Sequence, residues 1–313
     1  MQYQIKDGRF IVDGHRNEAG LADILKWQLS GSRQKWPRCI ENKIYPPPPK
    51  RVMGKDLSIT WIGHSTVLIQ TAGLNILTDP FFSDRASPVQ FAGPKRILAA
   101  GIAIADLPPI DLILLSHNHY DHLDVPALAA LKKYHDPKLI TTLNNGRYVK
   151  NYLCTELDWR QSVEVGEVRI TLMPALHWSK RSFNDTNKAL WGAFVIETKG
   201  GVIYFAADTG YGSGETFREV KAKFGAPRLS LLPIGAYEPR WFMKPQHMNP
   251  EEAVQAHLDL GSKTSFAIHH GTVQLTDEAV DAPVVALGEA IERCVISGIE
   301  FIVGDVGRSF SIA

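Results

Sequence analysis

The sequence predicts an α/β fold in which two β-sheets pack face to face and helices lie outside. Three observations predict it. Apolar, β-branched runs of four to seven residues fall into two groups, one between residues 57 and 142 and one between 167 and 312. Helical patterns at 126–133, 250–259 and 284–294 are interspersed among these runs instead of standing apart. No solenoid-type period recurs, and 313 residues are enough for a substantial buried core.

Residues 1–56 read as an N-terminal arm and residues 57–313 as the main domain. In the arm, Leu21, Ile24 and Leu25, with Trp27 or Leu29 beside them, share one side of a helix over 21–29. That helix is expected to cover the main core, with a substrate- or membrane-facing role as the alternative. Pro46-Pro47-Pro48-Pro49 suits neither helix nor central strand and marks the end of the arm as a stiff connector.

From Leu57 the pattern becomes β. Residues 57–62, 66–70 and 75–78 read as strands broken by Gly63 and by Ala72-Gly73. Residues 81–109 form a long, turn-rich segment, expected to be a functional loop or a cover over a site. Residues 111–115 form a short buried strand. A helix follows over 126–133, with Pro126 in its first turn, Asp124 near its N-cap and lysines at its end. Further strands fall at 138–142, 167–174, 193–197, 202–206, 229–233 and 264–268, with terminal ones near 300–303 and 308–312.

Composition narrows the function. Hydrophobic content of 44% and charged content of 21% are those of a soluble globular enzyme. A net charge of +1 argues against a nucleic-acid partner. Cys39, Cys154 and Cys294 form neither a CxxC pair nor a disulfide framework, and the first residues lack a signal peptide's apolar core. A cytoplasmic location follows as the expectation. No apolar run is long enough to span a bilayer, which leaves peripheral membrane contact open.

The densest chemistry lies in Ser116-His117-Asn118-His119-Tyr120-Asp121-His122-Leu123-Asp124, which directly follows a strand. In extended chain, His117 and His119 point to one side, because residues two apart share a face. After a turn, Asp121 and His122 can reach a second metal ion beside the first. Three further places deliver ligand-type residues just past a strand: His177, Asp208 and His269. Each alone reads as an ordinary turn or core residue. Their common position is what matters, because strand ends on one edge of a sheet converge in space and four loops can build one site.

The pattern His-x-His-x-Asp-His, followed by a distant His, Asp and His, resembles the metallo-β-lactamase superfamily. More narrowly, the chain is similar to the family of N-acylphosphatidylethanolamine-hydrolysing phospholipases D. The narrower likeness rests on Trp61-Ile62-Gly63-His64-Ser65-Thr66, Thr78-Asp79-Pro80-Phe81-Phe82-Ser83, the loop 116–124, His177-Trp178-Ser179-Lys180-Arg181, Asp208-Thr209-Gly210-Tyr211, residues 233–243, Gln246-His247 and Ile268-His269 with Gly271-Thr272. It covers roughly residues 57–313 and leaves the arm unmatched.

The resemblance implies an αββα sandwich of two mixed sheets, the metallo-β-lactamase fold, with two Zn²⁺ ions per chain along one edge. It implies that His117, His119 and His177 hold one ion, that Asp121, His122 and His269 hold the other, and that Asp208 bridges them. Imidazole and carboxylate are suitable zinc ligands, and two ions can share a hydroxide of lowered pKa as nucleophile. Zinc is preferred to iron because the third motif position is His119, where redox relatives often carry a carboxylate; manganese also stays open. His270 replaces His269 if that strand's register slips by one. His64 and Asp79 are read as residues that orient ligands.

On the substrate side, the resemblance places Gln246 and His247 in the pocket near a phosphate, and His247 is expected to contact the phosphate or to deliver a proton to the leaving oxygen. Asp121, Asp208 and His247 are the expected catalytic residues. Tyr120 is expected to border the site; Arg181 is expected either to neutralise a phosphate or to form a solvated surface pair with Lys180. The implied activity is hydrolysis of a phospholipid-type phosphodiester; the alternative is a lactonase or other carboxylic-ester hydrolase of the same superfamily. Partners follow from this: a phospholipid or other phosphodiester, with the arm free to touch membrane, substrate or a second subunit in a homodimer.

Overall fold

The computed structural model describes residues 1–12, 20–29, 33–294 and 298–313. The chain opens with a hairpin, β1 (Tyr3–Lys6) and β2 (Arg9–Val12), and helix α1 (Leu21–Leu29). The first half then supplies β3 (Leu57–Gly63), β4 (Thr66–Thr71), β5 (Leu74–Thr78), β6 (Leu112–Leu115), α2 (Val125–Tyr134), β7 (Lys138–Thr142) and β8 (Cys154–Leu157). The second half supplies β9 (Ser162–Val165), β10 (Val168–Met173), β11 (Ala193–Thr198), β12 (Gly201–Phe205), α3 (Glu215–Phe224), β13 (Leu229–Pro233), α4 (Arg240–Met243), α5 (Pro250–Leu260), β14 (Thr264–Ile268), α6 (Ala282–Arg293), β15 (Glu300–Ile302) and β16 (Ser309–Ile312).

Two seven-stranded sheets result. One runs β16-β3-β4-β5-β6-β7-β8 and the other β15-β14-β13-β12-β11-β10-β9. Each is mixed: β3 to β5 and β9 to β12 pair antiparallel with their neighbours, whereas β5 to β8 and β12 to β15 pair parallel. Parallel neighbours need crossovers, and helices α2, α3, α5 and α6 supply several of them. Between the sheets, Ile59, Ile69, Leu112 and Leu114 from one face meet Ile170, Phe194, Phe205, Leu231 and Phe266 from the other. A second cluster joins β11, β12 and β14 to α3, α5 and α6, and a third joins β4 to β6 with α2. Helix, sheet, sheet, helix is the layer order the sequence led us to expect.

Strand direction positions the site. In the first sheet β3 and β5 point the same way, because each pairs antiparallel with β4, and β6 continues parallel to β5. In the second, β10 and β12 flank the antiparallel β11, and β13 and β14 run parallel to β12. The C-terminal ends of β3, β5 and β6, and of β10, β12 and β14, therefore lie on one edge of their respective sheets. These ends carry His64, Asp79, the loop 116–124, His177, Asp208 and His269. Ligands of open α/β sheets gather at such carboxyl ends.

The arm departs from one expectation. Its hairpin packs Phe10 and Val12 into the core between the sheets. Helix α1, by contrast, does not cover the core: Ile24, Leu25 and Leu29 are 38, 61 and 83% exposed. The helix lies instead against α4 and the loop at 274–278, which it touches through Trp27. The side chain of Leu21 lies outside the described part of the structure. Sequence reading also missed β8, β9 and α3. The long segment after β5 is a fixed cover: Gly101 N–H donates to the Ile62 carbonyl at 2.9 Å, and Arg96 N–H to the Asp84 carbonyl at 2.8 Å.

At Gly101 a Cβ would stand 2.2 Å from the Gly307 nitrogen and 2.7 Å from the Val306 carbonyl carbon. Backbone on both sides leaves no room to relax. Gly101→Ala is expected to lower the stability of the fold by about 3 kcal/mol, the upper end for overpacking, measured by urea unfolding. An unchanged midpoint would show that the two loops can part.

Candidate metal centre

Two groups of side chains converge at the sheet edge. In the first, His119 Nδ1 lies 3.0 Å from His117 Nε2 and 3.2 Å from His177 Nε2. In the second, Asp121 Oδ2 lies 3.4 Å from His122 Nε2 and 3.4 Å from His269 Nε2. One oxygen joins them. Asp208 Oδ2 stands 3.2 Å from both His122 Nε2 and His269 Nε2, 3.7 Å from His177 Nε2 and 4.0 Å from His117 Nε2. All seven residues expected to ligate are brought together. The structure brings His269, not His270, to this cluster: the His270 ring stacks on Trp61 at 4.8 Å.

A second layer holds these rings in place. His122 Nδ1 donates to Asp79 Oδ2 at 2.7 Å. The Ser116 hydroxyl donates to the same oxygen at 2.6 Å and lies 2.9 Å from His117 Nδ1, while Ser116 N–H donates to Asp79 Oδ1 at 2.7 Å. His177 Nδ1 donates to the Gln246 carbonyl at 3.1 Å. His64 Nε2 donates to Asp121 Oδ2 at 2.8 Å, and its own N–H donates to Thr272 Oγ1 at 2.9 Å. Outer partners of this kind fix imidazole tautomer and orientation.

The donor set fits a pair of cations. With His177 Nδ1 bonded to a carbonyl and His117 Nδ1 to a hydroxyl, the Nε2 lone pairs of both rings face His119 Nδ1. A single proton on that nitrogen cannot serve both neighbours at 3.0 and 3.2 Å. The Nε2 atoms of His122 and His269 and Asp208 Oδ1 are buried without a hydrogen-bond partner. Buried polar atoms in such numbers are rare, and a cation between them resolves the conflict. Imidazole and carboxylate suit zinc and its borderline neighbours.

Without metal, the cluster balances its own charge. Burial works against the ionised carboxylates of Asp121 and Asp208, but the His122 charge and the close His269 ring hold both well below the usual range. Burial likewise works against charged His122 and His269. Asp208 and Asp121 overcome it, raising His122 well above its ordinary value and His269 to about 9. Burial keeps the others neutral: His117 falls well below its ordinary value, His119 to about 4, and His64, His177 and His247 to about 3.

Backbone strain gathers here too. His64, Asp79, Ala207 and His269 adopt φ of 56°, 29°, 51° and 59°, each within two residues of the end of its strand, and Ala236 adopts 60° beyond β13. Left-handed conformations of non-glycine residues cost about 1–3 kcal/mol each and persist where the surroundings over-determine them. Gly235 is one such surrounding: a Cβ there would meet the His269 carbonyl at 2.2 Å.

The residues expected to face substrate divide. The His247 ring stands 5.2 Å from His177 and 5.5 Å from His269, with Nδ1 unpartnered. Gln246 contributes its backbone carbonyl to His177, while its amide reaches the Met243 sulfur at 3.6 Å. Tyr120 turns its hydroxyl to the Arg181 carbonyl at 2.8 Å. Arg181 departs from expectation. Its guanidinium lies 4.1 Å over the Tyr120 ring, and Nη1 donates to the carbonyls of Asn118 and Leu123 at 3.1 and 2.7 Å. It braces the ligand loop. Trp178 borders the site, 4.7 Å from the His119 ring. Sequence reasoning missed the part played by Ser116, whose only signal is a hydroxyl beside a ligand, and by the Gln246 carbonyl, which no side chain announces.

The sandwich and its edge cluster define a metallo-hydrolase type of architecture. Residues 74–270 match the family described as "Beta-lactamase superfamily domain", and the chain belongs to that family. It is 38% identical over 229 residues to N-acyl-phosphatidylethanolamine-hydrolyzing phospholipase D 1 of Caenorhabditis elegans, covering 69% of this chain and 64% of that one. It is 39% identical over 228 residues to the mitochondrial N-acyl-phosphatidylethanolamine-hydrolyzing phospholipase D of Saccharomyces cerevisiae, covering 70% and 48%. The chain thus spans less than two thirds of either relative's length. Among solved structures, an isothiocyanate hydrolase from Delia radicum gut bacteria superposes with a TM-score of 0.63 at 20% identity, covering 81% of this chain and 98% of that one.

Two protons must leave before the cluster can ligate. At pH 7 metal-free His122 and His269 are protonated, so loading with metal is expected to release about two protons per chain, read by titration in weakly buffered solution. Release near zero would contradict the charge assignment. The same shifts set the pH dependence of the metal-free fold. His122 and His269, raised above 6.5, stabilise it below that pH, and this is lost as pH rises through their raised values, about 9 for His269. The lowered histidines stay neutral when folded and take protons when unfolded, so stability also falls as pH drops from 6.5 toward 3. Urea midpoints in chelator are expected to peak near neutrality; a midpoint that rises steadily to pH 9 would contradict this.

Proposed function

We propose that this protein is a zinc-dependent phosphodiesterase acting on a phospholipid-type phosphodiester, with N-acyl phosphatidylethanolamine as the first substrate to test. The observation that carries the reading is the paired cluster joined through Asp208 Oδ2, with His247 standing against both halves. The two phospholipase D relatives supply the substrate class. In this reading His117, His119 and His177 would hold one ion and Asp121, His122 and His269 the other, with Asp208 shared. Such a pair supplies a water of lowered pKa and positive charge for the phosphoryl oxygens.

The chain's own residues do the rest. Asp79 and Ser116 hold the rings of His122 and His117, the Gln246 carbonyl holds His177, and His64 fixes Asp121. His247 is neutral, with burial the main cause, so it meets substrate as a hydrogen-bonding imidazole beside the phosphate or the leaving oxygen. Tyr120 and Trp178 line the approach, and Arg181 keeps the ligand loop in shape. A lipid substrate calls for peripheral contact with a membrane; no helix among the described residues is long and apolar enough to cross one.

One observation favours a second reading, a lactonase or other carboxylic-ester hydrolase. Arg181 Nη1 is taken up by two backbone carbonyls, which weakens the case for it as a phosphate-binding cation. The experiment that separates the readings is hydrolysis by the zinc-loaded protein. The first expects phosphatidic acid and the free N-acyl ethanolamine from the phospholipid. Turnover of lactones or thioesters with no phosphodiester cleaved would decide for the second.

Two variants test the assignments. Asp208→Asn is expected to lose metal and activity together, by more than the 10–100-fold typical of an outer partner; full metal content with activity retained would remove Asp208 as the bridge. His247→Ala is expected to lower turnover about 100-fold with metal retained, measured by kinetics alongside elemental analysis. Loss of metal in that variant would move His247 from the substrate to the ligands.

A further inference from the structure

Segment α4 carries Gln246 and His247 into the site, yet it is only one helical turn. Turns this short do not stand alone in water and take their shape from what packs on them. Its own turn is closed by Phe242 and Met243 N–H donating to the Pro239 carbonyl and Lys244 N–H to the Arg240 carbonyl, each at 3.0 Å. The Met243 carbonyl accepts from the N–H groups of Gln246 and His247 at 3.0 and 2.9 Å, Arg240 Nη1 donates to the His247 carbonyl at 2.9 Å, and Arg240 Nη2 pairs with Glu252 at 2.7 Å. The Gln246 carbonyl in turn orients His177 at 3.1 Å. Any tilt of this turn moves both a ligand's tether and the imidazole nearest the substrate.

What packs on the outer side of α4 comes from the N-terminal arm. The Trp27 ring stacks on Phe242 at 5.2 Å, with 29° between planes, and Trp27 Nε1 donates to Asp277 Oδ2 at 2.9 Å. Lys26 Nζ lies 4.6 Å above the Trp241 ring. Further along, Gln34 N–H donates to the Asp277 carbonyl at 2.9 Å and Trp36 Nε1 to the Glu278 carbonyl at 2.8 Å. Glu278 carries the hold inward: its carboxylate accepts from Ala236 N–H at 2.6 Å, Glu238 N–H at 3.1 Å and the Thr276 hydroxyl at 2.8 Å. Those bonds fix the chain that leads into α4. The arm therefore grips the turn at both ends, through Phe242 and through the loop that precedes it.

We propose that the arm is a positioning strap for the site, with Trp27 as the residue that holds α4, and through it His247 and the Gln246 carbonyl, in working alignment. This rests on the role of His247 argued above. Trp27 touches neither ligand nor substrate, so it is a positioning residue. Misplacement by about 1 Å can cost up to 100-fold in rate. Trp27→Ala is expected to lower kcat about tenfold with KM little changed and metal content kept. Trp27→Phe, which keeps a ring over Phe242, is expected to recover most of the loss.

Hydrogen exchange of the zinc-loaded full chain tests the proposal without a substrate. Trp27→Ala is expected to speed exchange of the Gln246 and His247 amides and of their neighbours in 240–248, while β13 and β14 stay protected. Unchanged exchange over 240–248, or faster exchange with kcat unchanged on a turned-over substrate, would overturn the proposal. Protection lost in β13 and β14 as well would mark Trp27 as a general stabiliser and overturn it too. Should Trp27→Ala not fold, Trp27→Leu gives the same comparison with bulk retained. If wild type cleaves no phosphodiester, the functional reading fails while the exchange comparison still decides the strap.

Discussion

A single carboxylate oxygen organises this protein. Asp208 Oδ2 lies within 4.0 Å of ring nitrogens from four histidines that arrive on three different strand ends, a fourth strand end delivering Asp208 itself. An ionised carboxylate with no cation would be costly there, and burial opposes it. The neighbouring imidazoles offset that cost by charging: His122 and His269, each close to both Asp121 and Asp208, are raised, while burial wins at the other rings, including His64, where the His269 charge adds to it. Two cations in place of two protons would satisfy the same oxygen and also relieve the facing lone pairs around His119.

The geometry that brings four strand ends to one oxygen depends on strand direction. The contributing strands run the same way within each sheet, β3 and β5 on either side of the antiparallel β4 with β6 parallel beside β5, and β10 and β12 on either side of the antiparallel β11 with β13 and β14 parallel beyond, so their C-terminal ends reach the same edge. At that edge the chain turns sharply through left-handed residues. His64, Asp79, Ala207 and His269 hold those conformations because hydrogen bonds and close backbone contacts leave no alternative. Asp79 shows the economy of the arrangement: one buried carboxylate takes bonds from Ser116 and His122 and so aligns two ligand rings.

Much of this was legible in the sequence, for physical reasons. Ligand-type residues directly after apolar runs could only sit at strand ends, and that pointed to His177, Asp208 and His269 as companions of the 116–124 loop. The sandwich itself followed from strands in two groups. What stayed hidden depended on tertiary contacts. Arg181 beside Lys180 reads equally as a phosphate ligand or a surface cation, and only its bonds to two carbonyls reveal a brace. The Gln246 carbonyl leaves no trace in side-chain chemistry. Strands β8 and β9 are only four residues long and half-exposed at sheet edges. Helix α3 buries only Thr216, Phe217 and Val220 among mostly charged residues. Helix α1 had the apolar spacing of a core helix, yet it lies on the site's outer wall.

The central claim is that Asp208 joins two metal ions held by two separate sets of ligands. Anomalous diffraction at the zinc edge from crystals of the zinc-loaded protein tests it directly. The account predicts two peaks flanking Asp208, one among His117, His119 and His177 and the other among Asp121, His122 and His269. A single peak, or two peaks with Asp208 bonded to neither or to one alone, would contradict it.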